Sequence, residues 1–104
     1  MIDRVLGSPT KIKIILILQL HGGMNLTELV KRVGATQRTT IEQLNQLIHY
    51  GVVEVRQIGR MKLYRLAKSE AIIQTAKALA NIDRWLAQTS SQHSTTLRNV
   101  SKNT

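Results

Sequence analysis

The chain has 104 residues, with 15 Lys or Arg against 6 Asp or Glu, a net charge of +9, and no cysteine. This length specifies one domain with at most an appendage. The missing cysteines exclude a disulfide framework, a thiolate metal site and a cysteine nucleophile. The positive excess points to a polyanionic partner, nucleic acid first and an anionic membrane surface second.

Ser8-Pro9 opens the first predicted helix, because Ser caps free amides and Pro has no N–H to leave unpaired at the first helical position. The helix runs to about His21 and stops at Gly22-Gly23. Its apolar run, Ile14 to Leu18 extended by Leu20, is far short of the roughly 20 residues that span a bilayer. No small-residue cleavage pattern follows it, so it is predicted to be a buried helix of a cytoplasmic protein rather than a signal segment. Apolar residues lie all round this helix. A small core covers only one side, and the other side calls for a partner.

Asn25, with Glu28 three residues on, is a capping-box variant that starts a second helix, whose inner stripe is Leu26, Leu29, Val30 and Val33. Gly34 ends it. Thr36 caps a third helix, Gln37 to Tyr50, with Thr40, Ile41, Leu44, Leu47 and Ile48 at helical spacing. The period then changes. Val52 to Gln57 and Lys62 to Leu66 read as two strands joined around Gly59, a hairpin that must pack on the helices.

Ser69 caps a fourth helix, Glu70 to about Gln88. Its polar residues Glu70, Gln74, Lys77, Asn81, Arg84 and Gln88 fall in one sector of about 80°, with Asp83 the exception. The wide apolar remainder exceeds what one core needs, so this helix is expected to touch a second subunit as well. From Thr89 to Thr104, half of the 16 residues are Ser or Thr, which reads as a polar, mostly disordered tail.

Two short helices joined by Gly34-Ala35-Thr36 have the form of a helix-turn-helix. The stretch from Asn25 to Leu47 resembles this motif in winged helix-turn-helix transcription regulators. Gly51-Val52-Val53-Glu54-Val55 resembles the entry to that family's β-wing, and Tyr64-Arg65-Leu66 its end. The resemblance covers residues 8–68. Arsenic-repressor-like and multiple-antibiotic-regulator-like regulators, with small archaeal relatives, are the most similar groups. It implies a mainly α fold with a two-stranded β-wing: a winged helix-turn-helix over 8–68, a C-terminal dimerisation helix over 69–88 and a tail over 89–104. It also implies double-stranded DNA and a second copy of the chain as partners. The absence of Cys means that thiolate metal sensing is not carried over.

On the third helix, Leu44 and Leu47 mark the inner face, which leaves Thr36, Gln37, Arg38, Thr39, Glu42 and Gln43 as groove-entering candidates. Arg pairs bidentately with guanine, Gln with adenine, and Glu accepts from cytosine. Glu42 has an equal alternative, a salt bridge to Arg38. On the hairpin, Arg56, Arg60 and Lys62 are the DNA-facing candidates, with Arg60 at the tip suited to the minor groove or a phosphate. Residues 31–68 hold eight basic and two acidic side chains, a net of +6. A solvated basic face is the plain alternative.

The expected interface between copies comprises Ile14, Ile17, Ile72, Leu79, Ile82, Trp85 and Leu86. His21, His49 and His93 lack metal-ligand spacing, and no nucleophile elbow or phosphate-binding glycine loop is present. No catalytic residue, metal or cofactor is therefore expected, no membrane partner either, and no effector is identified. The sequence-level reading is a homodimeric, sequence-specific regulator in the cytoplasm, associated with the nucleoid. A weakly specific, chromatin-like architectural protein and a protein-interaction winged helix are the alternatives.

Overall fold

A computed structural model describes the backbone of residues 2–103 and the side chains of residues 2–89. The expected tail therefore falls, apart from Thr89, outside the described side chains, as does His93. The elements are α1 (Ile2–Leu6), α2 (Pro9–His21), α3 (Leu26–Val33), α4 (Gln37–His49), β1 (Val53–Ile58), β2 (Met61–Leu66) and α5 (Glu70–Asn103).

The caps form where their residue types lead one to expect them. Ser8 accepts the Lys11 N–H, Asn25 the Glu28 N–H and Thr36 the Thr39 N–H, each satisfying an amide that the first helical turn leaves open. The reciprocal half of the Asn25–Glu28 box is replaced: the Glu28 carboxylate turns to Arg32 at 3.4 Å. Gly34 closes α3 with φ +75° and ψ 9°. This left-handed backbone favours glycine, and it produces the sharp turn into α4.

The core is built from one stripe of each element. Ile14, Ile15 and Leu18 of α2 meet Leu29 and Val33 of α3, Leu44 and Leu47 of α4, and Val53 and Tyr64 of the hairpin. Thr40 is fully buried on the same face of α4. Its hydroxyl donates to the Thr36 carbonyl at 2.9 Å, so no polar atom is stranded there.

The hairpin pairs Val53 with Leu66 through to Ile58 with Met61. Only Gly59 and Arg60 separate the strands, and Gly59 has φ +62° while no non-glycine residue among the described ones has positive φ. A two-residue turn of the II′ type has this pattern, with glycine first. Two features lie outside the sequence reading. Helix α1 precedes Ser8 and buries Val5. Met24 forms an antiparallel bridge to Tyr64, with N–H···O distances of 3.0 and 2.8 Å, and so pairs a third chain segment with β2 at a single position.

One expected interface residue belongs elsewhere. Ile14 has 0% exposure and sits inside the protomer's own core, so it offers no surface to a partner. The reason is geometric: α2 packs against α1, α3, α4, α5 and β2 at once, and its Ile14 side is the inner one.

Candidate nucleic-acid interface

Helix α4 faces outward along the row Arg38, Glu42, Asn45 and His49, one helical turn apart and opposite Leu44 and Leu47. Arg38 is 90% exposed and its Nε lies 3.2 Å from Glu42 Oε1. The alternative left open for Glu42 is thus realised in the free protein as an ion pair. Such an i,i+4 surface pair contributes only about 0.3–0.5 kcal/mol, so a base or phosphate can displace either partner at small cost.

The other candidates on α4 differ in what they already do. Gln37 and Thr36 are exposed at the helix start. The Thr36 hydroxyl donates to Thr39 Oγ1 at 3.0 Å while capping the helix, which leaves the Thr39 hydroxyl its own proton to donate outward. Gln43 is half-buried, and its amide oxygen accepts from Ser8 Oγ at 3.0 Å. That oxygen is spent within the protomer. Gln43 therefore sets the position of α4 against the start of α2.

The basic side chains of the motif divide in the same way. Arg32, Arg38 and Arg65 are paired with Glu28, Glu42 and Glu54. Arg65 and Glu54 stand directly opposite in the hairpin register, 3.2 Å apart. Arg32 also donates to His21 Nε2 at 3.3 Å. Arg56, Arg60 and Lys62 are exposed and have no ion-pair partner among the described residues. The unneutralised charge of the hairpin is thus concentrated in its outer half. Lys13 is drawn off to another task, donating to the Val33 carbonyl at 3.2 Å and tying α2 to the last turn of α3.

Helix α5 divides the remaining interface candidates. Ile17, Ile72 and Leu79 are half-buried, and Ile72 and Leu79 line an apolar groove with Ile2, Val5 and Leu6 of α1. Beyond the groove, Ile82, Trp85 and Leu86 are exposed, Trp85 by 61%. The part played by α1 was missed in the sequence, although Ile2, Val5 and Leu6 have the i, i+3, i+4 spacing that signals it. Among the described residues, no group of three or more His, Cys, Asp or Glu side chains could hold a metal ion. No described helix is long and apolar enough to cross a membrane.

Residues 8–54 match a family model described as winged helix-turn-helix DNA-binding. No curated protein matches the chain in sequence. Among solved structures, the transcriptional repressor BigR from Xylella fastidiosa is 29% identical, with 76% of this chain and 79% of that one covered at a TM-score of 0.66. Rv0081 from M. tuberculosis is 28% identical over 86% of each chain, with a TM-score of 0.65. The homodimeric winged helix-turn-helix domain of Mb0332 from Mycobacterium bovis, a possible ArsR-family regulator, shares the fold at 22% identity, with 80% of this chain and 75% of that one covered and a TM-score of 0.65. Residues 8–54 are thus similar to the winged helix-turn-helix DNA-binding family, and the hairpin that follows completes the winged fold.

Proposed function

We propose that the protein is a homodimeric transcription regulator that binds double-stranded DNA in a sequence-specific manner and has no enzymatic role. In this reading, residues 8–68 are the DNA-binding unit and residues 69–88 are the dimerisation arm. Helix α4 enters a major groove, with Gln37, Arg38, Thr39 and Glu42 reading base edges. Arg56, Arg60 and Lys62 of the wing take phosphates or the minor groove. The single observation that carries the reading is the polar outer row of α4, held by weak, displaceable contacts, next in sequence to a hairpin whose outer cations are unneutralised.

The dimer is supported by the apolar surface left on α1 and α5. Ile72, Leu79 and Leu86 recur every seven residues, Ile82 borders the same side of the helix, and Trp85 lies further round it. Exposed large apolar side chains grouped in this way mark an interaction site. The homodimeric Mb0332 domain and the repressor BigR carry the same architecture. Two copies would set their recognition helices on successive major-groove faces, about 34 Å apart, and so read an inverted repeat. A cytoplasmic, nucleoid-associated location follows from the function.

Selection from a random duplex library with the purified protein tests this. An enriched inverted repeat, bound much more tightly than random DNA at the same salt, is the expected result. Equal affinity for both would assign the architectural role instead. No binding at low salt would overturn the reading.

A further inference from the structure

The far end of the wing carries an apolar pair. Register sets Ile58 directly opposite Met61, on either side of the Gly59–Arg60 turn. Opposed residues of antiparallel strands share a face, and faces alternate along each strand. One face therefore carries Val53 with Leu66, Val55 with Tyr64 and Gln57 with Lys62; Val53 and Tyr64 are buried there, while Val55 is 44% exposed. The other carries Glu54 with Arg65, Arg56 with Leu63, and Ile58 with Met61. From root to tip, that second face passes from an ion pair, to a cation beside leucine, to the apolar pair. Ile58 is 54% exposed and Met61 50%.

Solvent-facing hairpin ends are normally blunted with charge. Here cations flank the apolar pair instead, Arg56 on its own face, Arg60 in the turn and Lys62 on the opposite face, none with an ion-pair partner among the described residues. Three cations repel a basic protein surface and gain nothing on a neutral one. They suit a surface that alternates phosphates with apolar sugar edges, which is the wall of a DNA minor groove. Two side chains are too small an apolar area to hold a protein on a bilayer by themselves.

We propose that the wing tip is a minor-groove wedge. Ile58 and Met61 enter between the sugar walls and open a base step, while Arg56, Arg60 and Lys62 hold the flanking phosphates. The proposal rests on the DNA-binding reading above and adds a source of specificity to it. Pyrimidine–purine steps such as TA unstack easily and A-tracts resist, so the protein discriminates at positions where no side chain reads a base edge.

The test measures binding of short duplexes by fluorescence anisotropy over a range of salt, and their bending by energy transfer between end-attached dyes. Ile58→Ser with Met61→Ser is expected to weaken binding about tenfold at every salt concentration, because the lost contact is apolar. The salt slope stays as in the wild type, the bend is lost, and preference for a TA step over an A-tract disappears. Ile58→Val with Met61→Leu keeps all three properties. Unchanged affinity and bending in the serine variant, or a loss that appears as an altered salt slope, overturns the wedge and leaves DNA binding standing. A wild-type protein that binds no duplex at low salt overturns both. Tighter binding to phosphatidylserine vesicles than to DNA, lost in the serine variant, assigns the tip to membranes and also overturns the wedge.

Discussion

Ser8 Oγ donates to Gln43 Oε1 at 3.0 Å and accepts the Lys11 N–H at 3.2 Å. One hydroxyl thus caps α2 and fastens it to the middle of α4. The donor and acceptor capacities of the side chain are both used. Because α4 is the proposed recognition helix, this link fixes its position relative to the rest of the domain.

Ser8→Ala removes both contacts. Cap loss costs about 0.5–2 kcal/mol, and the half-buried Gln43 amide must then find water. A fall in stability within or slightly above that range is expected in urea unfolding. Gln43→Ala should cost less and leave the selected DNA sequence unchanged, since its oxygen serves the fold. A changed base preference in Gln43→Ala would return it to the set of base-reading residues.

The pair of Arg38 and Glu42 gives a second test. Glu42→Ala is expected to alter stability by at most about 0.5 kcal/mol. It should raise general DNA affinity, because a carboxylate leaves the groove-facing row and Arg38 is freed. Arg38→Ala should weaken binding by roughly 1–3 kcal/mol and relax base choice. A Glu42→Ala protein that loses affinity at one base pair alone would show that Glu42 reads that base.

Wing cations should behave according to their partners. Arg60→Ala and Lys62→Ala are each expected to weaken all sequences alike and to reduce the salt slope by about one. Arg65→Ala should leave the slope nearly unchanged, because Glu54 at 3.2 Å already offsets its charge. Titrations at four or more salt concentrations separate these outcomes.

Core and interface substitutions should separate cleanly. Ile14→Ala empties a fully buried position and is expected to cost about 2–5 kcal/mol. Trp85→Lys changes an exposed position and should leave the unfolding of the protomer intact while shifting sedimentation toward the monomer. In the wild type, Tm should rise with protein concentration, as mass action requires of a dimer. A concentration-independent Tm with monomeric sedimentation would remove the dimer.

Much of the fold is legible from local physics. Ser8, Asn25 and Thr36 each announce a helix start because a short polar side chain reaches the open amides of the next turn. Gly34 announces the turn into α4, where the backbone is left-handed. The spacing of Leu44 and Leu47 tells which side of α4 faces the core and, by exclusion, which residues face out. Alternation and Gly59 reveal the hairpin. The local +6 follows from counting. All of these signals act within a few residues along the chain, so an unfolded string of letters carries them in full.

The rest required contacts between distant parts of the chain. Periodicity marks Ile14 as apolar but not as enclosed; only the convergence of α1, α3, α4 and α5 on α2 decides that it is core rather than interface. Gln43 has the chemistry of an adenine reader until Ser8 claims its oxygen. Arg65 counts as a wing cation until strand register sets Glu54 across from it, and the same register gathers Ile58 and Met61 at one tip. The Met24–Tyr64 bridge has no sequence signal, because a single backbone pair leaves no side-chain pattern. Sequence by itself determined the elements from α2 on, their order and the charge they carry, since those depend on short-range backbone and solvent preferences. Tertiary structure alone decided which polar groups are occupied and which are free to bind, because hydrogen bonds and ion pairs are claimed by whichever partner folding brings within reach.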